Sequence, residues 1–476
     1  MQKGTQDKIW GNVVDVFDNS AIPSMIENIK IPVVSPEYDK EFFTNGLIDE
    51  SLAFTQKWIE SMNIAGLTAK VIKSENEPSV PCLYVTIEAF KKTENVKNIL
   101  MYGHLDRMPV EKEKWTVTDP YVVKIVDDNM YGRGVCDDLI AIYSYIIQIQ
   151  TLQKLGLKHD NVHILMEVEE ESESENLIPI IKSLNLPEID LVVILDSGCL
   201  DYERLWITTS LRGIVNGELE VSVLKSGVHS GDGTGIIPSS FRILRSLLSR
   251  VEDVETGKVL LNELQINIPE KRIEQVKKLS ELLGKGVYDH FPWINPNLSK
   301  PSTENVHKLL LQRGFMSGIE ITGCEGIPNF ERSSNQLRAQ TLVKVSCRLP
   351  PSIDWNVAGE ALKKEFERDP PYGAKIEYNF KGANGWMAQD EGEELLQSME
   401  NSSQKFFGNG VMMMNEGGSI PLVNDLQKMF KKAKFIVTGV EGPGCSCHGP
   451  DELLNLPCAR KVTACLTQII SEFANY

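Results

Sequence analysis

The sequence predicts an α/β fold in which a mostly parallel sheet carries helices on both faces and an α+β domain is inserted into the chain. Short runs such as LVVIL at residues 191–195 are apolar on both sides and alternate with helical segments, as in buried parallel sheets. Between residues 210 and 383 the strands instead alternate apolar and polar residues, which is typical of a half-exposed sheet. The α/β pattern returns afterwards. We therefore predict an α/β domain formed by residues 1–209 and 384–476, and an inserted α+β domain at 210–383.

The individual elements follow from the spacing of apolar residues. Apolar positions at helical spacing predict helices at residues 6–30, 47–65, 139–155, 177–184, 241–251, 272–283, 355–366, 391–407, 422–430 and 459–473. Apolar or alternating runs predict strands at residues 80–90, 98–102, 162–168, 191–195, 213–224, 340–348, 375–380, 411–414 and 433–437. Residues 284–334 are rich in Gly, Pro, Ser and Asn, so we expect long loops there.

Composition narrows the function classes. The net charge of -17 argues against nucleic acid or an anionic membrane as the main partner, because a polyanion would be repelled. No apolar run reaches the ~18 residues of a membrane span, and the first residues lack a signal-peptide pattern. Nine cysteines without a framework pattern indicate reduced thiols, so we expect a cytoplasmic protein. The pair Cys445 and Cys447 is compatible with a metal or redox site, but we favour incidental thiols.

Histidines and carboxylates follow the predicted apolar strands. The carboxyl ends of strands form the ligand-binding edge of an open α/β sheet. Residues with this placement are His104, Asp106, Glu169, Glu170, Glu171, Asp196 and His448, and Asp137 precedes the buried helix at 139–155. Mixed histidine and carboxylate ligands suit zinc, with manganese or cobalt as rivals. The sequence therefore predicts a site for two divalent cations, with a carboxylate beside it that activates water.

Each of these residues also has a structural interpretation. His104 with Asp106 could form a capped turn, and Asp137 could cap the following helix. The glutamate run could be a solvated face, and Asp196 could belong to an ordinary turn. Their coincidence at strand ends favours the metal site over these separate explanations.

Five separated motifs resemble the carnosinase, aminoacylase and carboxypeptidase family of co-catalytic zinc peptidases, closest to its carnosinase-like dipeptidase branch. The motifs are Gly103-His104-Leu105-Asp106, Gly132-Arg133-Gly134-Val135-Cys136-Asp137, Glu170-Glu171, Asp196 and His448. The resemblance implies that His104 and Asp196 hold one metal, that Glu171 and His448 hold the other, and that Asp137 bridges them. It also implies that Glu170 is the general base and that Asp106 orients His104. The alignment of the glutamate run at residues 169–171 with the family motif leaves a shift of one residue open.

The resemblance extends into the predicted inserted domain. It implies that His229 reaches the partner subunit's site in a homodimer and helps to stabilise the oxyanion, and that Asn335 is an active-site asparagine. It further implies that Arg348 and the loop carrying Gly418 and Ser419 bind a substrate carboxylate. A loop histidine, a surface arginine and a plain glycine turn are the corresponding structural alternatives. The departures from the family pattern, at Arg107, Leu139, Ile140, Glu173 and Arg338, remove no ligand.

We therefore expect metal-dependent hydrolysis of the amide bond of dipeptides or short peptides, with closure of the inserted domain completing the site. An N-acyl amino acid deacylase, such as a deacetylase or desuccinylase, could use the same site. A non-catalytic protein that binds metal or peptide is the alternative from another class.

Overall fold

The computed structural model describes the whole chain except residue 77 and residues 92–94. These residues form two compact units. Unit 1 comprises Met1–Thr208, Ala388–Met413 and Asp425–Tyr476, and unit 2 comprises Thr209–Met387 and Met414–Asn424. Within the described residues, none of the helices combines the length and apolar character that crossing a bilayer requires.

The helices and strands are numbered in chain order. The helices are α1 (Lys3–Val16), α2 (Ile22–Ile29), α3 (Leu47–Ser61), α4 (Leu139–Lys154), α5 (Leu177–Ser183), α6 (Ser230–Gly233), α7 (Ser240–Val251), α8 (Glu270–Leu283), α9 (Gly286–Asp289), α10 (Val306–Phe315), α11 (Trp355–Glu367), α12 (Glu393–Phe406), α13 (Pro421–Met429) and α14 (Leu456–Phe473). The strands are β1 (Leu67–Lys73), β2 (Pro81–Ile87), β3 (Asn98–His104), β4 (Lys124–Val126), β5 (Asn129–Tyr131), β6 (Asn161–Glu167), β7 (Leu191–Ile194), β8 (Trp206–Leu211), β9 (Gly213–Ser222), β10 (Val228–His229), β11 (Gly318–Glu325), β12 (Gln336–Leu337), β13 (Gln340–Leu349), β14 (Lys375–Ala383), β15 (Trp386–Met387), β16 (Met412–Glu416), β17 (Lys434–Val437) and β18 (Leu453–Asn455).

The main sheet of unit 1 has a parallel centre. Its strand order is β1-β2-β6-β3-β7-β17, followed by the first residues of β8. The pairs β6–β3, β3–β7 and β7–β17 are parallel, whereas β1–β2 and β2–β6 are antiparallel. The predicted mostly parallel α/β sheet is therefore confirmed. Four neighbouring parallel strands end at the same edge of the sheet, which is where such folds bind ligands.

Helix α4 packs against these central strands because it is apolar almost all round. Its side chains from Leu139 to Ile149 are buried. The Tyr145 hydroxyl donates to the carbonyl oxygen of Tyr102, at 2.6 Å, and also lies 3.3 Å from that of Val193. The helix that follows Asp137 is thus held against β3 and β7, which fixes the position of its N-terminus.

Unit 2 contains an antiparallel sheet in the order β11-β13-β9-β14. The residues of β9 alternate between buried and more exposed, as the sequence predicts, and α7 and α11 pack on the sheet. Val215, Leu219 and Leu247 lie in the resulting core. Unit 2 therefore has a hydrophobic core of its own.

The prediction of long loops at residues 284–334 is wrong in part, because α9, α10 and β11 lie there. Helix α10 begins where the Asn305 side chain accepts a hydrogen bond from the backbone amide of Lys308, at 3.0 Å. Strand β11 lies at the edge of its sheet, and a register shift separates Ile321 from Gly323. An edge strand whose residues are mostly exposed carries little of the apolar pattern used for prediction.

Candidate metal centre

His104 is the last residue of β3 and its side chain is completely buried. Its Nδ1 lies 3.0 Å from the backbone oxygen of Asp106, and its Nε2 lies 3.0 Å from Oδ1 of Asp137. The Asp196 carboxylate, directly beyond β7, is 4.0 Å from the same Nε2. When Nδ1–H donates to the carbonyl, the lone pair of Nε2 faces the carboxylates, which is the usual orientation of a metal-binding imidazole.

The Asp137 carboxylate lies between two imidazoles. Its Oδ1 faces His104, and its Oδ2 lies 3.0 Å from Nε2 of His448. The peptide bond between Asp137 and Asp138 is cis, and Oδ2 of Asp138 accepts the backbone N–H of His104 at 3.3 Å. A carboxylate that presents one oxygen on each side can bridge two cations about 3.5–4 Å apart.

The three consecutive glutamates after β6 have different environments. Glu169 accepts hydrogen bonds from the backbone and the side chain of Asn176, at 2.5 and 3.1 Å. Glu170 Oε2 lies 4.0 Å from Nε2 of His104, and Glu171 Oε2 lies 3.2 Å from Nε2 of His448. Only Glu170 and Glu171 therefore face the two histidines.

Asp106 links the histidine to the glutamate run. Its side chain is completely buried, and Oδ1 lies 3.4 Å from Nδ1 of His104. Its two oxygens accept the backbone amides of Glu170 and Glu171, at 3.2 and 3.1 Å. The Asp106 carboxylate thereby fixes the position of the segment after β6 relative to the end of β3.

The loop after β17 supplies His448 and a carboxylate that the sequence analysis did not identify. His448 adopts a left-handed backbone conformation with φ of 63°. In the same loop, Glu441 accepts the backbone amide of Cys199 through its own carbonyl oxygen, at 2.9 Å. The Glu441 carboxylate lies within 4.8 Å of ligand atoms of Asp137 and Asp196. Glu441 lies just beyond a parallel strand, and this position in the sequence could have identified it as a candidate.

Ligand atoms within 4.8 Å of one another form three groups in the part of the chain that the structure describes. These groups are His104 with Asp138 and Asp196, Asp137 with Glu171 and His448, and Asp137 with Asp196 and Glu441. Oδ1 of Asp138 and Oε1 of Glu171 are buried without a hydrogen-bond partner among the described residues. Buried acceptors of this kind fit divalent cations, so the donor set matches a two-metal site.

The pKa shifts of the site residues also indicate a cation site. Hydrogen bonds with Asp137 and Glu171 raise the pKa of His448 to about 10. Burial opposes the charged form of His104, but the carboxylates of Asp106 and Asp137 outweigh it and raise its pKa well above the usual range. Burial, assisted by the Asp196 charge, raises the pKa of Glu170 well above its ordinary value. Carboxylates outnumber imidazoles at this site, so the excess negative charge favours the binding of cations.

Glu452 supports the loop that carries Asp137, although sequence reasoning gave it no role. It is completely buried and pairs with Nη1 of Arg133 at 2.8 Å. It also accepts the backbone amides of Gly134 and Cys136, at 2.8 and 3.0 Å. Gly134 has a φ of 82°, and a Cβ there would lie 2.5 Å from the buried Arg107 side chain. The loop therefore needs both the glycine and the carboxylate.

The remaining predicted residues lie in unit 2. The exposed His229 and Asn335 are close together, because β10 pairs with β12 and the amide of Ser230 donates to the Asn335 carbonyl at 2.9 Å. Nη1 of Arg348, on β13, lies 3.2 Å from the Ser419 hydroxyl. Gly418 accepts the backbone amide of Arg212 at 2.9 Å. These residues thus form two groups, His229 with Asn335 and Arg348 with Ser419, in unit 2.

Residues 100–472 match the family model described as Peptidase family M20/M25/M40. The cysteinylglycine-S-conjugate dipeptidase of Corynebacterium striatum is 25% identical over 371 residues, covering 74% of this chain and 76% of that protein. The Beta-Ala-His dipeptidase of Rattus norvegicus is 25% identical over 356 residues, covering 71% and 70%. The structure of the di-peptidase Dug1p from Saccharomyces cerevisiae has a TM-score of 0.75 at 19% identity and covers 99% of both chains, so it shares the fold. The family model spans most of the sequence, and the chain belongs to peptidase family M20/M25/M40.

Proposed function

We propose that this protein is a two-metal dipeptidase that hydrolyses the amide bond of dipeptides or short peptides. The observation that carries the proposal is the convergence of His104, Asp137, Glu171, Asp196 and His448 at the carboxyl ends of parallel strands. Membership of a peptidase family and the dipeptidases among the relatives support it.

In this proposal His104 and Asp196 would hold one cation, Glu171 and His448 would hold the other, and Asp137 would be shared between them. Zinc is the proposed metal, and manganese or cobalt are the alternatives, because histidine and carboxylate ligands suit all three. When bound, such ions lower the pKa of a water towards ~7 and polarise the scissile carbonyl.

Glu170 is the proposed general base. Its carboxylate faces the histidine side of the site, and its backbone amide is held by Asp106 at 3.2 Å. From this position it takes the proton of the attacking water and returns it to the leaving amine. Asp106 acts by positioning both His104 and the segment that carries Glu170.

Unit 2 contributes the substrate contacts in this proposal. Arg348 and the residues Gly418 and Ser419 bind the free carboxylate of the substrate, which limits the enzyme to short peptides. His229 acts on the oxyanion in the partner subunit of a homodimer, with Asn335 beside it. Its exposure is compatible with a role outside its own unit.

A substrate panel tests the proposal against the deacylase alternative. We expect dipeptides to be hydrolysed with a kcat/KM roughly tenfold to a hundredfold above that of N-acetyl or N-succinyl amino acids with the same second residue. A free ammonium group gains a charge-assisted hydrogen bond at a carboxylate-rich site, and Glu441 adds one more carboxylate there. The measurement is initial-rate kinetics on protein loaded with zinc and, separately, with manganese. Faster cleavage of the acylated amino acids would favour the deacylase, and peptide binding without any turnover would favour a non-catalytic protein.

A further inference from the structure

Three arginine side chains of unit 2 converge on residues 415–419, which we call the 415–419 segment. Nε of Arg212 donates to the Gly417 carbonyl at 3.1 Å, and Nη2 of Arg313 lies 3.5 Å from the Asn415 carbonyl. Arg348 contacts the Ser419 hydroxyl, which in turn donates to the backbone oxygen of Arg212. The three guanidinium groups come from β13, α10 and the turn between β8 and β9, so the fold brings them together from distant parts of the sequence.

Gly417 allows this convergence. A Cβ at this position would lie 3.3 Å from Nη2 of Arg212 and 3.5 Å from Cγ of Arg313. Both arginines therefore lie against the same side of one glycine. An alanine there would require the Arg212 guanidinium to move by a few tenths of an ångström, so the glycine permits the present close approach.

The charges of this cluster do not cancel. Burial, and then the positive charges of Arg348 and Arg313, lower the pKa of Arg212 to about 10. Glu416 is the acidic group that acts on Arg313. Among the charges of the described residues that act on this cluster, the three guanidinium groups exceed the Glu416 carboxylate by two, which matches a dianion better than a monoanion.

The cluster also retains unused donors. A guanidinium group has five N–H donors, and the contacts with the 415–419 segment use only part of them. Nε of Arg313 is buried without a hydrogen-bond partner among the residues that the structure describes. If these arginines served only to hold backbone carbonyls, neutral side chains could do so without the mutual repulsion of three half-buried cations. The charge excess therefore points to an anionic ligand.

We propose that Arg212, Arg313 and Arg348 form a site for two carboxylates, so that the preferred dipeptides end in aspartate or glutamate. Arg348 and Ser419 take the terminal carboxylate, as in the proposed function on which this inference rests. Arg313 and Arg212 take the side-chain carboxylate, for which the planar guanidinium fork is well suited.

The kinetic test compares Ala-Glu with Ala-Gln, which have nearly the same shape but differ in the charge of the second side chain. We expect the wild-type protein to prefer Ala-Glu by roughly tenfold or more in kcat/KM, mainly through KM. In the Arg313→Gln variant, the ratio of kcat/KM for Ala-Glu to that for Ala-Gln should fall to roughly one. Arg368→Gln is the matched control, because Arg368 lies on the surface of the same unit in a pair with Glu365. Equal use of the two peptides by the wild type would overturn the proposal.

A binding test separates this inference from the proposed function. We expect calorimetric titration of the full-length protein to show L-glutamate binding roughly tenfold or more tightly than L-glutamine, and Arg313→Gln to remove the difference. If glutamate binding depends on Arg313 while no dipeptide is cleaved, the proposed function fails and the dianion site stands. If dipeptides are cleaved but glutamate binds no tighter than glutamine, the dianion site fails alone. The comparison of glutamate and glutamine binding to the wild-type protein tests the dianion site even if the variant does not fold.

Discussion

Replacement of Glu170 by glutamine is expected to lower kcat by roughly 10²–10⁴-fold while the metal content stays the same. The amide of glutamine cannot accept the proton of the attacking water, although it has nearly the same shape as the carboxylate. Glu170 is not one of the proposed metal ligands, so the loss should appear in turnover and not in metal binding. The measurement is kcat at saturating dipeptide, with metal analysis by mass spectrometry on the same preparation.

The neighbouring Glu169→Gln variant is the matched control. Glu169 hydrogen-bonds with Asn176 and does not face the histidines, so its replacement should leave kcat within a few-fold of wild type. Full activity of Glu170→Gln would refute its role as the base. A large loss in Glu169→Gln together with normal Glu170→Gln would move the assignment by one residue.

Replacement of Glu452 by glutamine is expected to destabilise the folded protein by about 3–5 kcal/mol, because it leaves the buried Arg133 cation without its partner. The new amide keeps only one acceptor oxygen, so its NH2 group would face the backbone amide of either Gly134 or Cys136, which would then lack an acceptor. The loop that carries Asp137 should shift as a result, so metal affinity should fall as well. Urea unfolding followed by circular dichroism measures the first effect, and metal titration measures the second.

The exposed pair Lys30–Glu27 provides the comparison within the same unit. Both side chains are about half exposed, so Glu27→Gln should cost less than about 1 kcal/mol. Similar unfolding midpoints for the two variants would contradict the structural role assigned to Glu452.

The parallel centre of the fold could be predicted from sequence because β3, β7 and β17 are buried on both faces and therefore nearly continuous in apolar residues. The buried helix α4 was equally clear. Strands β1 and β11 were missed because most of their residues are partly or fully exposed, so their patterns resemble those of loops. Tertiary pairing with β2 and β13 decides their conformation, and one sequence does not reveal such partners.

Part of the candidate site could be predicted because position at a strand end is visible in the sequence, as for His104 and Asp196. Contacts between distant residues could not be predicted in the same way. The pairing of Glu452 with Arg133 joins positions 319 residues apart, and the motif that contains Arg133 does not indicate this partner. The difference between Glu169 and Glu170 depends on the hydrogen bonds of Asn176, which only the folded chain reveals.

The most direct test of the account is a crystal structure of the zinc-loaded protein with anomalous scattering measured at the zinc edge. We expect two peaks per chain about 3.5–4 Å apart, with the Asp137 carboxylate between them, His104 at one ion and His448 at the other. A single peak, or two peaks away from the carboxyl ends of β3, β6, β7 and β17, would contradict it.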